Sequence, residues 1–245
     1  MVVKDRYKPD ATALAGLFDR LRDLSFPAEA EASAPVSAVP VVDDLRTLLA
    51  QVREPLEAMG RGGLFGNPWA AAALRRDEVR NASVLRWFLD PNGGHGCGDA
   101  LLAALLQRIQ IKMKVGASFP SVASGSCRAT VEECPDGDRS NRVDIQIDDP
   151  AFFLIIEVKV DAGEQERQLE RYGDIAEARA AGRRPWAVAY LTCDGRACTT
   201  AGRHENRVVC LSWRGIAGDL RRIARHAAPA SAFLARAFAD HVSSF

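Results

Sequence analysis

Hydrophobic residues recur along this chain first at helical spacing, then at every second position, then at helical spacing again. After Asp10, a fitting N-cap, Leu14, Leu17, Phe18, Leu21 and Leu24 trace one face of a helix. Ser25–Pro40 is rich in Ala, Pro, Ser and Glu and reads as a linker. A second amphipathic helix, starting near Asp43 or Asp44 and carrying Leu45, Leu48, Leu49 and Val52, is expected to end or kink at Pro55. A long helical pattern runs from Trp69 to Leu89, with Glu78, Asn81, Ala82, Leu85 and Leu89 on one stripe. It stops at Asp90-Pro91-Asn92-Gly93. Asp99 is placed to cap a further helix over Ala100–Ile111.

The period then changes. Arg128–Cys134 fits a strand, and Asn141–Lys159 reads as two more strands joined through Asp148-Asp149-Pro150. In the first of these, Val143, Ile145 and Ile147 alternate with Arg142, Asp144 and Gln146. The second is apolar over Phe152–Ile156, as a central strand would be, and then carries Glu157 and Lys159 on one face. A symmetric loop centred on Asp149-Pro150 places Asp144 opposite Ile155, with Glu157 as its diagonal neighbour at roughly 7–8 Å. A helix is expected from the turn Asp161–Glu164 to about Ala181. Two further strands are expected over Pro185–Cys193 and Arg207–Leu211. The order is helix, three antiparallel strands, helix, strand, which predicts an α/β fold with a mixed central sheet flanked by helices.

A charged hairpin with an exposed face would ordinarily explain an E-x-K pair. Here the pair ends a run of five apolar residues, where an unpaired charge is expensive, and that favours a site. Two carboxylates at that spacing suit one hard divalent cation such as Mg²⁺ or Mn²⁺, and a metal beside a lysine suits phosphoryl chemistry.

Composition narrows the classes. The chain has 245 residues, 47% hydrophobic and 26% charged, as expected of a globular protein of one sizeable domain with additions or of two small domains. No apolar run approaches the ~20 residues of a membrane span. The N-terminus also lacks the order of a signal peptide, so a cytoplasmic location is expected. The six cysteines form no metal-ligand spacing. Formal net charge is zero, so any nucleic-acid binding must come from a local patch. Six arginines between Gly202 and His226, with Trp213 among them, could form a phosphate-contacting arm or the solvated face of an ordinary helix. Arg171, Arg179, Arg183 and Arg184 could enlarge it. The glycine-rich stretch Gly60–Pro68 lacks the G-x-x-x-x-G-K-[ST] pattern and is assigned no nucleotide role.

The spacing D-x12-E-x-K, Asp144 to Glu157 to Lys159, resembles the metal-binding core of the PD-(D/E)XK nuclease superfamily. Gln168-Leu-Glu-Arg-Tyr172 resembles the Q-x-x-x-Y motif of its RecB-like branch, and Trp87–Gly96 is similar to a stretch in a bacterial group of the superfamily. The resemblance covers about Asp77 to Trp213 and implies a restriction-endonuclease-like core. The chain then divides into an N-terminal helical appendage with its Ala/Pro-rich linker, residues 1–75, and a nuclease-like domain, residues 76–245.

The resemblance also implies roles. Asp144, Glu157 and the carbonyl of Val158 would hold Mg²⁺ (or Mn²⁺), Lys159 would activate water, and Glu78 would complete or flank the metal shell. Gln165, Gln168 and Tyr172 would line the cleft, with Arg142 beside them and His95 as a helper. For His95 the favoured reading is structural, a loop histidine satisfying backbone groups ahead of the helix at Ala100, with the helper role second. In the bacterial group the glutamate matched by Glu78 is followed three residues later by histidine, where this chain has Asn81. The expected activity is metal-dependent hydrolysis of phosphodiester bonds in nucleic acid, DNA first. Two alternatives stand beside it: a catalytically silent nucleic-acid-binding protein on the nuclease fold, or a partner-binding protein. The N-terminal helices are the expected surface for a homodimer or another protein.

Overall fold

The computed structural model describes residues 42–61, 66–113, 118–133 and 142–245. The helix expected over Leu14–Leu24, the linker at Ser25–Pro40 and the middle of the glycine-rich loop lie outside them. The described residues fall into two separately compact units divided at Gly66. In the first, helix α1 spans Val42–Arg61 and continues past Pro55, where an end or kink was expected. Proline removes only its own bond to the carbonyl four residues back, and the rest of the ladder is intact. Leu48 and Leu49 are exposed on α1.

The second unit is built on a five-stranded sheet: β1 (Arg128–Glu133), β2 (Val143–Asp149), β3 (Phe152–Val158), β4 (Trp186–Thr192) and β5 (Val208–Ser212), in that spatial order. The first three strands form an antiparallel meander, and β4 and β5 then add in parallel. The mixed α/β sheet is the one the periodicity predicts. All seven residues of β3 are buried, because it is central and covered on both faces. Leu154, Ile156 and Val158 face a core shared with helices α3 (Glu78–Leu89), α4 (Ala100–Lys112), α6 (Trp213–Ala224) and α7 (Pro229–Val242). Phe153 and Ile155 face the other way, onto Leu169, Tyr172, Ile175 and Ala176 of α5 (Gln168–Ala180). Among the described residues no helix is long and apolar enough to cross a membrane.

Two boundaries and one cap differ from the periodicity. The pattern at Trp69–Leu89 is two helices, α2 (Pro68–Ala71) and α3. Asn67 caps the first with Pro68 at its opening position, Ala73 and Arg75 adopt positive φ, and the Asp77 carboxylate restarts the helix by accepting the Arg80 N–H. Asp99 precedes α4 but its side chain makes no cap. Helix α5 starts only at Gln168, leaving 159–167 as a loop whose last residue, Arg167, is left-handed.

The hairpin register also differs. Asp149 pairs with Phe152, so the turn is Pro150-Ala151 rather than one centred on Asp149-Pro150. Proline's fixed φ suits the first central turn position and is disfavoured at the second, and this shifts the pairing by one step on each side. Ile145 lies across from Ile156. One residue further along, Asp144 faces Glu157 directly instead of diagonally.

Asp149 anchors this register. It is fully buried and accepts the backbone N–H groups of Ala151 and Ser124 at 2.8 and 2.9 Å. Asp149→Ala leaves two donors unpaired and is expected to cost on the order of 3 kcal/mol in urea unfolding with an unchanged slope. Asp149→Asn, which keeps one acceptor, should lose less.

Candidate active site

Lys159 and Glu157 meet where β3 runs out of the apolar core. Glu157 is 2% exposed and Lys159 7%, and Lys159 Nζ lies 2.7 Å from Glu157 Oε1. The pair is close because residues two apart on a strand share a face. It stays buried because α5 closes that face. Gln168, in the first turn of α5, donates from Nε2 to the same Glu157 oxygen at 2.7 Å and to Tyr172 Oη at 3.2 Å. Tyr172 Oη in turn donates to the backbone carbonyl of Arg142 at 2.9 Å. Gln168 Oε1 accepts the Gln165 N–H at 3.2 Å, which fixes the amide's orientation. The four-residue spacing of Gln168 and Tyr172 thus becomes a brace running from β3 to the start of β2.

Asp144 completes the cluster. Its Oδ2 accepts the Val158 N–H at 2.8 Å, and its carboxylate stands beside that of Glu157. Glu157 Oε2 is buried and has no hydrogen-bond donor. Burial first, then the Asp144 charge, pushes the Glu157 carboxyl up to about 8, against the pull of Lys159. Burial likewise raises Asp144, against the Val158 N–H and Lys159. Lys159 is raised: burial favours its neutral form, but Glu157 and then the charges of Glu78 and Asp144 outweigh it. Burial and the Glu157 charge raise the Tyr172 phenol.

These features fit a hard divalent cation. Two adjacent carboxylates, one with a buried oxygen lacking any donor, are what such an ion neutralises, and Mg²⁺ commonly takes only one or two protein carboxylates. Among the described residues no three His, Cys, Asp or Glu side chains form a metal-holding group, so Asp144 and Glu157 are the two side chains here that would face such an ion.

Glu78 sits in the first turn of α3, where its Oε1 accepts the N–H groups of Val160, Asp161 and Ala162 at 2.7, 3.3 and 3.2 Å. It reaches the segment just beyond Lys159. Gln165 joins through its backbone, from the loop and not from a helical face, and its side chain is exposed. Arg142 contributes its carbonyl. His95 lies elsewhere: it is buried in the α3–α4 loop, against Trp87 and Phe88 on the opposite sheet face. Its Nε2 is 2.9 Å from the Asp90 carbonyl and its Nδ1 accepts the Cys97 N–H at 3.0 Å, so both nitrogens serve the loop. Asn81, in place of the expected histidine, is buried as well. It donates to the carbonyls of Arg75 and Asp77 and meets His241 Nε2 at 3.0 Å, binding α3 to α7.

Periodicity gave no hint of three neighbours of the site, because each arrives from a distant segment. Tyr190 of β4 is the parallel partner of Glu157. Arg76 forms a two-pronged pair with Asp161 at 2.7–2.9 Å. Glu164 takes the backbone N–H groups of Thr199 and Thr200 and so ties the 159–167 loop to the one before β5. The arginine-rich tail is largely spent on internal pairs. Arg203 binds Asp174, Arg221 binds Asp240, Arg222 binds Asp219, and Trp213 lies in the core. Arg184 and Arg179 both bind Asp148, while Arg183, Arg214 and Arg225 are exposed.

No curated protein and no solved structure matches the chain. Residues 67–240 match the family described as the PD-(D/E)XK nuclease superfamily, a span that holds the whole sheet, the Asp144–Glu157–Lys159 cluster and the α5 brace. By that match, over well more than half its length, the chain belongs to the PD-(D/E)XK nuclease superfamily.

Proposed function

We propose that this protein is a metal-dependent nuclease that hydrolyses phosphodiester bonds in DNA. The observation that carries the reading is the carboxylate pair of half-buried Asp144 and buried Glu157, with one donor-free oxygen on Glu157 and the Lys159 ammonium 2.7 Å from its other oxygen. Family membership supplies the reaction class. Asp144, Glu157 and the Val158 carbonyl would hold Mg²⁺ or Mn²⁺. A bound ion of that kind polarises a phosphoryl oxygen and lowers the pKa of a coordinated water.

The residues of the chain do the rest. Glu157 and its neighbours keep Lys159 protonated, so Lys159 orients the attacking water and offsets the negative charge that develops on the phosphoryl oxygens. Gln168 donates to the same Glu157 oxygen that Lys159 contacts, which helps hold the carboxylate in place. Tyr172 fixes Gln168 and acts at one remove from the chemistry.

Three outcomes are expected. Lys159→Ala should abolish Mg²⁺- or Mn²⁺-dependent cutting of supercoiled, linear or single-stranded DNA, with the fold kept and much of the metal binding retained; cleavage at the wild-type rate would refute the assignment. Mn²⁺ binding without cutting of DNA or RNA by the wild type would instead favour a silent nucleic-acid-binding protein.

Metal affinity should fall as pH drops below about 8, because protons compete for Glu157 and Asp144. Titration calorimetry at several pH values measures this, and Asp144→Asn should weaken binding throughout.

Without metal, the folded protein binds the Glu157 proton more tightly than the unfolded chain does. The metal-free protein should therefore lose stability as pH rises from the ordinary value of 4.5 through about 8, and Glu157→Gln should flatten that slope in thermal unfolding.

A further inference from the structure

Lys159 is the first residue past the last paired position of β3, and no helix follows until Gln168. Its own N–H bonds to the Leu191 carbonyl at 2.8 Å, which ties its backbone to β4. The next three residues turn their N–H groups toward one point and form a small anion-binding concavity of backbone donors. The Glu78 carboxylate fills it, with a single oxygen accepting from Val160, Asp161 and Ala162. Two more contacts close on the same segment. Arg76, two residues before Glu78, grips the Asp161 carboxylate, and Cys193 Sγ donates to the Val160 carbonyl at 3.2 Å. Glu78 therefore faces three backbone donors, and among the described residues it does not converge with Asp144 and Glu157 on a common point.

We infer that Glu78 is a positioning residue: by occupying the backbone concavity at Val160–Ala162 it fixes the end of β3, and with it the Lys159 ammonium and the Val158 carbonyl, relative to the Asp144–Glu157 pair. This rests on the nuclease reading of that pair. The placement follows from α3, whose first turn favours an acidic residue and whose Asp77 cap holds that turn in place. What the position requires of residue 78 is an acceptor oxygen at that reach. A metal ligand would have to be a carboxylate pointing at the ion.

The two roles predict different variants. Glu78→Gln keeps an acceptor and should retain Mn²⁺ affinity and most of the wild-type cleavage rate. Glu78→Ala should keep Mn²⁺ affinity but lower kcat on the order of 10- to 100-fold, the range seen when groups that orient metal-site residues are removed. KM should change little. Hydrogen exchange provides a reading that needs neither metal nor substrate: the amides of 160–162 should be protected in wild type and Glu78→Gln and exposed in Glu78→Ala. Loss of Mn²⁺ affinity in both variants to the extent seen in Asp144→Asn would make Glu78 a ligand and overturn the inference. Protected amides in Glu78→Ala would overturn it too. If wild type neither binds Mn²⁺ nor cuts, the nuclease reading fails, while the exchange result still decides whether Glu78 holds the segment.

Discussion

The site turns on Glu157, a carboxyl group held in a place where its charge is costly. Glu157 follows five buried apolar residues on a strand covered on both faces, so water supplies almost none of its solvation. Its compensation comes from one ammonium and one amide on a single oxygen, with the other oxygen left beside a second carboxylate. That balance is poor for the folded protein alone, as the upward shift of Glu157 shows, and a bound cation would improve it. On the proposed nuclease reading, stability is exchanged for a pre-formed site, a common arrangement where charged groups must be held for chemistry.

The elements around Glu157 act on one short segment from two directions. From one sheet face, α5 reaches Glu157 through Gln168 and steadies Gln168 through Tyr172. From the other, the start of α3 reaches the residues just past Lys159 through Glu78 and Arg76. The loop that joins β3 to α5 has no secondary structure of its own, so these side-chain contacts and Glu164 give it a defined path. The departure at Asn81 leaves this system intact, because Asn81 serves the α3–α7 contact.

The chain's zero net charge takes on a structural meaning as well. Many arginines of the second unit are held by carboxylates of the same unit, among them the pairs to Asp148, Asp174, Asp219 and Asp240. On the proposed nuclease reading, attraction of a nucleic acid would fall to exposed residues such as Arg183, Arg214 and Arg225 and to the site itself. Steering by such a local patch is screened by salt over about 8 Å at physiological ionic strength.

The sequence by itself determined the mixed sheet, the α5 motif and the pairing of Glu157 with Lys159, because each depends on short-range periodicity: two residues on a strand, four on a helix. It also marked Asp144 as a partner, through the length of one hairpin. The hairpin register was missed by one step, since which of two adjacent pairs flanks the turn depends on proline's place in it and on the contact of Asp149 with Ser124, 25 residues away. Tertiary structure alone decided which groups Glu78 and Gln165 meet. Glu78 lies on an apolar stripe for reasons periodicity cannot separate, and only the approach of 160–162 shows which groups it accepts from. His95 already reads in sequence as a structural loop residue, and the structure agrees, with both ring nitrogens on loop backbone. Gln165 is one helical turn from Gln168 in sequence, yet the left-handed Arg167 between them starts the helix late, so its backbone joins the network and its side chain does not. Contacts across 80 or more residues leave no trace in local spacing, and the surroundings of Lys159 are built from them.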